Sequence, residues 1–196
     1  MKTSIEAMIR ALPEGGWVRV ECVRRTHRGI DLLVAVARGR RGRVTTRWRV
    51  SCVGVRELHV ADLNGGGMRL YSSSHPAARQ YAAGRARLRW CPGARLAEAR
   101  GVLLAAHTHL VDDWIPFDRY APAVRPNATV VAWHGPTFIM KTYARALRSL
   151  GLRALVNVGT EPRPGRRPRC LHFGDSFIVA DRFEVGWGDV AADQAV

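Results

Sequence analysis

An alternation of apolar and polar side chains over the first quarter of the chain limits the folds that this sequence can adopt. Residues 17–23 and 43–52 show this alternation, and residues 30–37 are apolar enough for a central strand. In an extended strand, alternate side chains point to opposite faces. The linking segments RRTHRG and RGRRGR predict turns. The pattern therefore predicts an antiparallel meander, in which Val18, Val20 and Cys22 face the core from the first strand.

The second half of the sequence is more helical. Leu96, Leu103 and Leu110 recur every seven residues, which predicts an amphipathic helix over about 95–114. A second amphipathic helix is predicted over about 137–150, where apolar residues again recur at helical spacing and a glycine follows as a stop signal. Helical secondary structure is therefore expected mainly after the strands.

Strands that follow one another in sequence, with helices after them, are typical of an α+β fold. The sequence shows neither a repeat nor the sustained strand–helix alternation of a doubly wound sheet. We expect a largely antiparallel β-sheet, built around the N-terminal meander and packed against two or three helices. One domain is predicted over residues 1–185, and residues 186–196 are predicted to form a frayed tail.

The four cysteines do not predict a metal site. They are scattered, whereas structural zinc sites draw their ligands in close pairs. We predict buried free thiols, no metal and no cofactor. The chain is 47% hydrophobic, enough for a core without disulfides. Its apolar runs are too short to span a bilayer, and its first residues lack a signal-like apolar core, so we expect a soluble cytoplasmic protein.

A formal net charge of +15 is the strongest compositional feature. Such a field attracts polyanions, for example nucleic acid or an acidic protein surface. Only Lys2 and Lys141 among the 31 basic residues are lysines. The excess of arginine also fits a bias toward GC-rich codons, in which case the arginines are a solvated surface. The sequence leaves both interpretations open.

Two rows of arginines alternate with apolar residues and are therefore predicted to point outward. Arg47 and Arg49 belong to the third predicted strand, and Arg85, Arg87 and Arg89 belong to a later short strand. If these strands are neighbours, their arginines form one positive stripe on one sheet face. Neither row alternates with outward aromatic residues, so no base-stacking platform is predicted. A later loop adds three candidate contacts: Arg163, Arg166 and Arg167.

The segment HGPTFIMKTY resembles a phosphate-binding loop, which ends in Gly-Lys-Ser/Thr. Met140 stands where such a loop needs a glycine, and Pro136 removes one of the backbone donors that curl around phosphate. Ile139 and Tyr143 already share a helical register. We therefore predict a helix that starts near Thr137, and no nucleotide site.

The segment HFGDSF contains a Gly-Asp-Ser sequence like the nucleophile block of GDSL-type esterases. In that family the serine comes early and an Asp-x-x-His block comes last. Ser176 instead lies near the end of the chain, and no histidine follows an aspartate by three residues. A nucleophile without a base is not activated. We predict a turn in which Gly174 supplies backbone freedom and Asp175 and Ser176 bond to local backbone.

A candidate polar site lies at the end of the first long helix. His107 and His109 point to nearly opposite helix faces, so they cannot share one ion. His107 falls on the apolar face and is predicted to be a hydrogen-bonded core histidine. The runner-up hypothesis is a small hydrolase or metal-assisted enzyme with these candidate residues: His109, Asp112, Asp113, His134 and Asp175.

The order of several segments resembles a group of small bacterial proteins of unknown function. The resemblance covers roughly residues 45–185 and rests on His75-Pro76, DDWIPFDRY and FGDSFIVADRFE. These contain a Trp-x-Pro-Phe-x-Arg-aromatic segment and a Gly-Asp-Ser-aromatic segment near the C-terminus. Because the function of the group is unknown, the resemblance implies none for this chain.

The residues favour a non-catalytic binding protein. We expect it to engage an acidic partner, either nucleic acid or an acidic protein surface, through an arginine-rich face. An immunity-type or accessory protein-interaction module is an alternative, because such a protein also needs only a complementary surface. The enzyme described above is the other alternative.

Overall fold

A computed structural model describes residues 3–14, 16–38, 42–61, 64–125, 128–159 and 167–187. The helices and strands follow in this chain order: α1 (Ile5–Arg10), β1 (Gly16–Thr26), β2 (Gly29–Arg38), β3 (Val44–His59), β4 (Asn64–Gly65), β5 (Met68–Tyr71), α2 (Pro76–Ala82), β6 (Arg85–Trp90), α3 (Leu96–Val111), β7 (Val131–Pro136), α4 (Thr137–Ser149), β8 (Ala154–Val158), β9 (Arg169–Phe173) and β10 (Ser176–Trp187). The protein has the predicted α+β fold.

The chain divides into two compact units. Unit 1 contains the residues up to Ala78 together with those from Arg167 onward, and unit 2 is the continuous segment between them. Each unit has its own sheet and its own hydrophobic core, whereas the sequence alone led us to expect one domain. In the predicted tail, Gly186 and Trp187 belong to β10, and residues 188–196 lie outside the described residues.

Unit 1 is built on a seven-stranded sheet in the order β4-β1-β2-β3-β10-β9-β5. All neighbouring strands pair antiparallel, and the predicted meander β1–β2–β3 is confirmed. Helix α1 packs Ile5 and Met8 against one face of the sheet. Buried side chains of the strands line that face, among them Val18, Val20, Leu32, Val34, Trp48, Val50, Phe173 and Ile178.

A bulge in β1 turns one predicted core residue outward. The pairing of β1 with β2 skips Glu21, and an extra residue reverses the faces of those that follow. The prediction that Cys22 faces the core is therefore wrong, and its side chain is exposed. Cys91 is also exposed, while Cys52 and Cys170 are the predicted buried free thiols. Burial raises the pKa of both buried thiols to about 12.

Unit 2 is built on a three-stranded sheet in the order β7-β6-β8, with β6 antiparallel to both neighbours. Helices α3 and α4 provide the other side of its core, and α4 matches the predicted helix closely. Large, fully buried side chains of this core come from both layers, among them Leu88, Trp90, Leu103, Ile139, Met140, Tyr143 and Leu147. The second face of the sheet carries exposed side chains.

Candidate polyanion-binding face

Strand β6 places three arginines in a row on the outer face of the unit 2 sheet. Its sequence RARLRW alternates strictly, and Arg85, Arg87 and Arg89 are exposed as predicted. Its inward side chains are buried in the unit 2 core: Ala86, Leu88 and Trp90. Because β6 is the central strand, the arginines follow the midline of the sheet.

The two neighbouring strands complete this surface. We name it the arginine face and define it by seven residues: Arg85, Arg87, Arg89, Ala132, His134, Leu155 and Asn157. Strand pairing puts His134 and Asn157 on opposite sides of Arg87. Leu155 is paired with Arg89 and is 66% exposed. Directly paired side chains share a face of the sheet and are near neighbours, so the seven residues form one surface.

Among the described residues, no acidic side chain compensates the charge of the arginine face. None of its seven residues is acidic, and no ion pair with its arginines is found among the described residues. Two acidic residues of unit 2 pair elsewhere. Oε2 of Glu98 lies 2.6 Å from Nη2 of Arg95, and Oδ1 of Asp118 lies 3.5 Å from Nη2 of Arg100. Within the described part of the chain, three guanidinium groups are therefore available to an external anion.

The outward arginines of the unit 1 sheet are, by contrast, largely paired with carboxylates. Arg47 and Arg19 each bond to Glu21 at 2.8 Å. The hydrogen bond from Arg47 is the main cause that lowers the pKa of Glu21, with Arg19 adding to it. Arg49 is exposed. Three further pairs reduce the charge of this sheet: Arg28–Glu184, Arg182–Glu184 and Arg56–Asp181.

The two predicted arginine rows belong to different sheets. Arg47 and Arg49 lie in β3 of the seven-stranded sheet, whereas the other row lies in β6 of the three-stranded sheet. The condition for one shared stripe is not met, because β3 pairs with β2 and β10 and not with β6. Arg167 is exposed just before β9. The predicted contacts Arg163 and Arg166 lie outside the described residues.

The runner-up polar site is not formed within either unit. Asp175 lies in the turn between β9 and β10 of unit 1, and the other four residues belong to unit 2. His109, Asp112 and Asp113 are exposed at the end of α3, and His134 lies on the arginine face. Across the described part of the chain, no three His, Cys, Asp or Glu side chains are placed to hold a metal ion.

His107 is a hydrogen-bonded core histidine, as predicted. Its buried ring places Nε2 2.6 Å from the Ile115 carbonyl oxygen and Nδ1 2.7 Å from the Tyr143 hydroxyl. Because a carbonyl can only accept, Nε2 donates to Ile115 and Tyr143 donates to Nδ1. Burial raises the pKa of Tyr143, so its hydroxyl keeps the proton at neutral pH. This network joins α3 and α4 to the turn that follows α3.

Replacing Tyr143 by phenylalanine should lower the free energy of unfolding of unit 2 by about 1–3 kcal/mol, because the buried Nδ1 of His107 loses its donor. Urea denaturation followed by tryptophan fluorescence measures the change. The double variant His107→Leu/Tyr143→Phe should cost less than the sum of the two single changes, since both partners are removed together. A Tyr143→Phe variant as stable as the parent would show that the hydroxyl does not support His107.

The two segments that resemble enzyme motifs have structural roles. Helix α4 begins at Thr137 as predicted, and the N–H and hydroxyl of Thr137 both donate to the Gly84 carbonyl at 2.8 Å. Gly174 has a φ of 54° in the predicted turn before β10. Ser176 is fully buried, and its hydroxyl accepts from the Ala61 N–H at 3.1 Å. This partner is distant from Ser176 in sequence.

The sequence did not predict a cluster of rings in unit 1. Tyr71 stacks on His75 with ring centroids 4.1 Å apart, and it lies 6.1 Å from His172. We name these three residues the ring cluster. It forms because β5 pairs with β9, a long-range pairing for which the sequence contains no local signal. Burial lowers the pKa of both imidazoles, and the neighbouring His172 lowers that of His75 further.

The ring cluster predicts that unit 1 loses stability as the solution is acidified through about pH 6.5. Both imidazole pKa values are lowered by folding, so the unfolded chain binds more protons in this range, and the loss ends once the folded imidazoles are also charged. Urea denaturation between about pH 5 and pH 7.5 measures the profile. His75→Gln should flatten it, and an unchanged slope would contradict the assignment. The pKa values of Glu6 and Glu21 are lowered from 4.5, outside this range.

Comparison with known proteins gives no match to this chain, whether with protein-family models, curated proteins or solved structures. The resemblance to a group of small bacterial proteins therefore stays a prediction. None of the helices in the described residues is both long and apolar enough to cross a membrane. The candidate function therefore rests on the geometry and charge of the arginine face.

Proposed function

We propose that this protein is a non-catalytic binding protein that engages a polyanion through the arginine face. One observation carries the proposal. The three exposed arginines of β6 stand in a row with no acidic partner among the described residues. The opposite side of the same strand is anchored in the core by Leu88 and Trp90, so the row is held by a rigid element.

The physical basis is the repulsion between neighbouring guanidinium groups. Alternate residues of a strand are about 6.6 Å apart, which is less than the Debye length of about 10 Å at 0.1 M salt. Neighbouring arginines therefore repel each other in the free protein. A bound polyanion relieves this repulsion and accepts charge-assisted hydrogen bonds, for which the planar fork of arginine is well suited. The formal net charge of +15 also favours the approach of such a partner.

Phosphates and carboxylates both satisfy these requirements. Nucleic acid and an acidic protein surface are thus the two partner classes, and the second would suit an immunity-type or accessory protein. The candidate residues of the hydrolase alternative belong to both units, and the described residues form no metal site.

Binding of labelled oligonucleotides and labelled polyglutamate, followed by fluorescence anisotropy across a salt series, tests the proposal. The triple variant Arg85→Ala/Arg87→Ala/Arg89→Ala should bind about 100-fold more weakly than the parent at low salt, since three charge-assisted contacts are lost. Circular dichroism should show an unchanged fold, because the three side chains are exposed.

A matched control separates the arginine face from the overall charge. The triple variant Arg19→Ala/Arg47→Ala/Arg182→Ala removes the same number of positive charges, but from residues that are paired with carboxylates. It should change affinity by less than about threefold. Equal losses in the two variants would mean that net charge alone binds the polyanion. Absence of binding to every polyanion at low salt would refute the proposal.

A further inference from the structure

We infer that the polyanion is a single polynucleotide strand that lies along β6. This inference rests on the proposed function and names its partner. The phosphates would lie on the three arginines, and the sugars and bases would lie over β7 and β8. Three features of the arginine face support this partner: the spacing of its charges, its apolar flank and the polar groups at its centre.

The spacing of the arginines suits a polynucleotide backbone. Arg85, Arg87 and Arg89 are alternate residues of one strand, so their Cα atoms are separated by about 6.6 Å per step. Consecutive phosphates of an extended polynucleotide strand repeat at a similar distance. Each arginine can therefore meet one phosphate without distortion of either chain, and the positive row follows the backbone as in other single-strand sites.

The flank of the row favours a single strand over a duplex. Leu155 is paired with Arg89 and is 66% exposed, and Ala132 lies on the other side of Arg89. A duplex presents charged phosphate ridges and keeps its bases stacked inside. A single strand presents phosphates together with sugar and base faces. Of these two ligands, only the single strand can therefore cover the apolar side chain beside a phosphate-binding arginine and remove it from water.

The centre of the arginine face supplies hydrogen-bonding groups beside the row. His134 and Asn157 flank Arg87 and are both exposed. The Asn157 amide can donate and accept, and the imidazole ring of His134 can also stack on a base. Within the described arginine face no other side chain has a ring. Base recognition therefore relies on few contacts, and we expect binding that tolerates most sequences.

The experiment compares a labelled 12-nucleotide single strand of mixed sequence with its duplex across a salt series. Three phosphate contacts on a single strand give a log–log salt slope of about −2. Arg87→Ala should reduce the size of this slope by about 0.7, the contribution of one phosphate contact. The single strand should bind more tightly than the duplex at each salt concentration.

Leu155→Ser provides the discriminating variant, because it alters the apolar flank and leaves the charge unchanged. It should weaken single-strand binding about threefold to tenfold without changing the salt slope, and it should leave duplex binding unchanged. Leu104→Ser makes the same change at an exposed leucine of α3 and serves as the control. It should have no effect on either ligand.

The outcomes separate this inference from the proposed function. Equal or tighter duplex binding, together with no effect of Leu155→Ser, would overturn the single-strand assignment while the arginine dependence of binding remained. Arginine-dependent binding of polyglutamate alone would identify an acidic protein as the partner and would also overturn it. Failure of all these polyanions to bind at low salt would overturn both.

Discussion

The variant Gly29→Ala is expected to lose about 3–5 kcal/mol of the free energy of unfolding of unit 1. Gly29 opens β2 directly after the turn from β1, with a φ of 149° that L-residues rarely adopt. An added Cβ would overlap the carbonyl oxygen of Cys52 in β3. That oxygen is part of the backbone, so the overlap can be relieved only by moving a central strand. Backbone strain and steric overlap therefore act together.

Hydrogen exchange followed by mass spectrometry would locate this loss. Peptides from β1, β2 and β3 should exchange faster in Gly29→Ala, and peptides from α4 in unit 2 should not. Gly186→Ala is a matched control in β10, since an added Cβ there meets no atom of the described residues within 4 Å. Its stability should change by less than about 0.5 kcal/mol. Equal exchange in the two variants would contradict the close approach at Gly29.

Replacing Trp90 by alanine should destabilise unit 2 by about 3–5 kcal/mol. Trp90 is 1% exposed and packs edge-on against Trp133 with ring centroids 5.5 Å apart. Truncation therefore leaves a large cavity beneath β6. The buried indole Nε1 has no hydrogen-bond partner among the described residues. Trp90→Phe keeps an aromatic ring and removes this unpaired donor, so it should cost less than half as much.

Guanidinium denaturation followed by circular dichroism compares these variants. Arg89→Ala, at the adjacent outward position, is the control and should change the unfolding free energy by less than about 0.5 kcal/mol. Comparison of Trp90→Ala with Arg89→Ala also separates stability from function, because Arg89→Ala should weaken polyanion binding in a folded protein. A Trp90→Phe variant as unstable as Trp90→Ala would contradict the assignment of Nε1 as an unpaired donor.

Local patterns predicted the elements well because periodicity depends only on nearby residues. The strict alternation in β6 gave the correct inward and outward sets, and α4 began at the predicted Thr137. The bulge at Glu21 escaped prediction, since no feature of β1 alone requires an extra residue there. Helix α2 was also missed, because its seven residues are too few to establish a helical period.

Strand order could not be predicted, and the candidate site depends on it. The alternation of apolar and polar residues predicts that Arg47 and Arg87 point outward, but it does not predict which strands are neighbours. The assignment of the two arginine rows to different sheets follows from long-range pairing, including the insertion of β10 between β3 and β9. Leu155 and Asn157 join the arginine face for the same reason, since β8 must first be placed beside β6.

The position of β10 in the sequence determines the order in which the two units can complete their folding during translation. Its pairing partner β3 ends at His59, and β10 begins only at Ser176. At about 5–20 residues per second, a ribosome needs roughly 6–25 s to synthesise the intervening chain. All of unit 2 is made in this interval and can fold first. Meanwhile β3 presents an open sheet edge to other nascent chains, and its charged residues Arg47, Arg49 and Arg56 disfavour such pairing until β10 arrives.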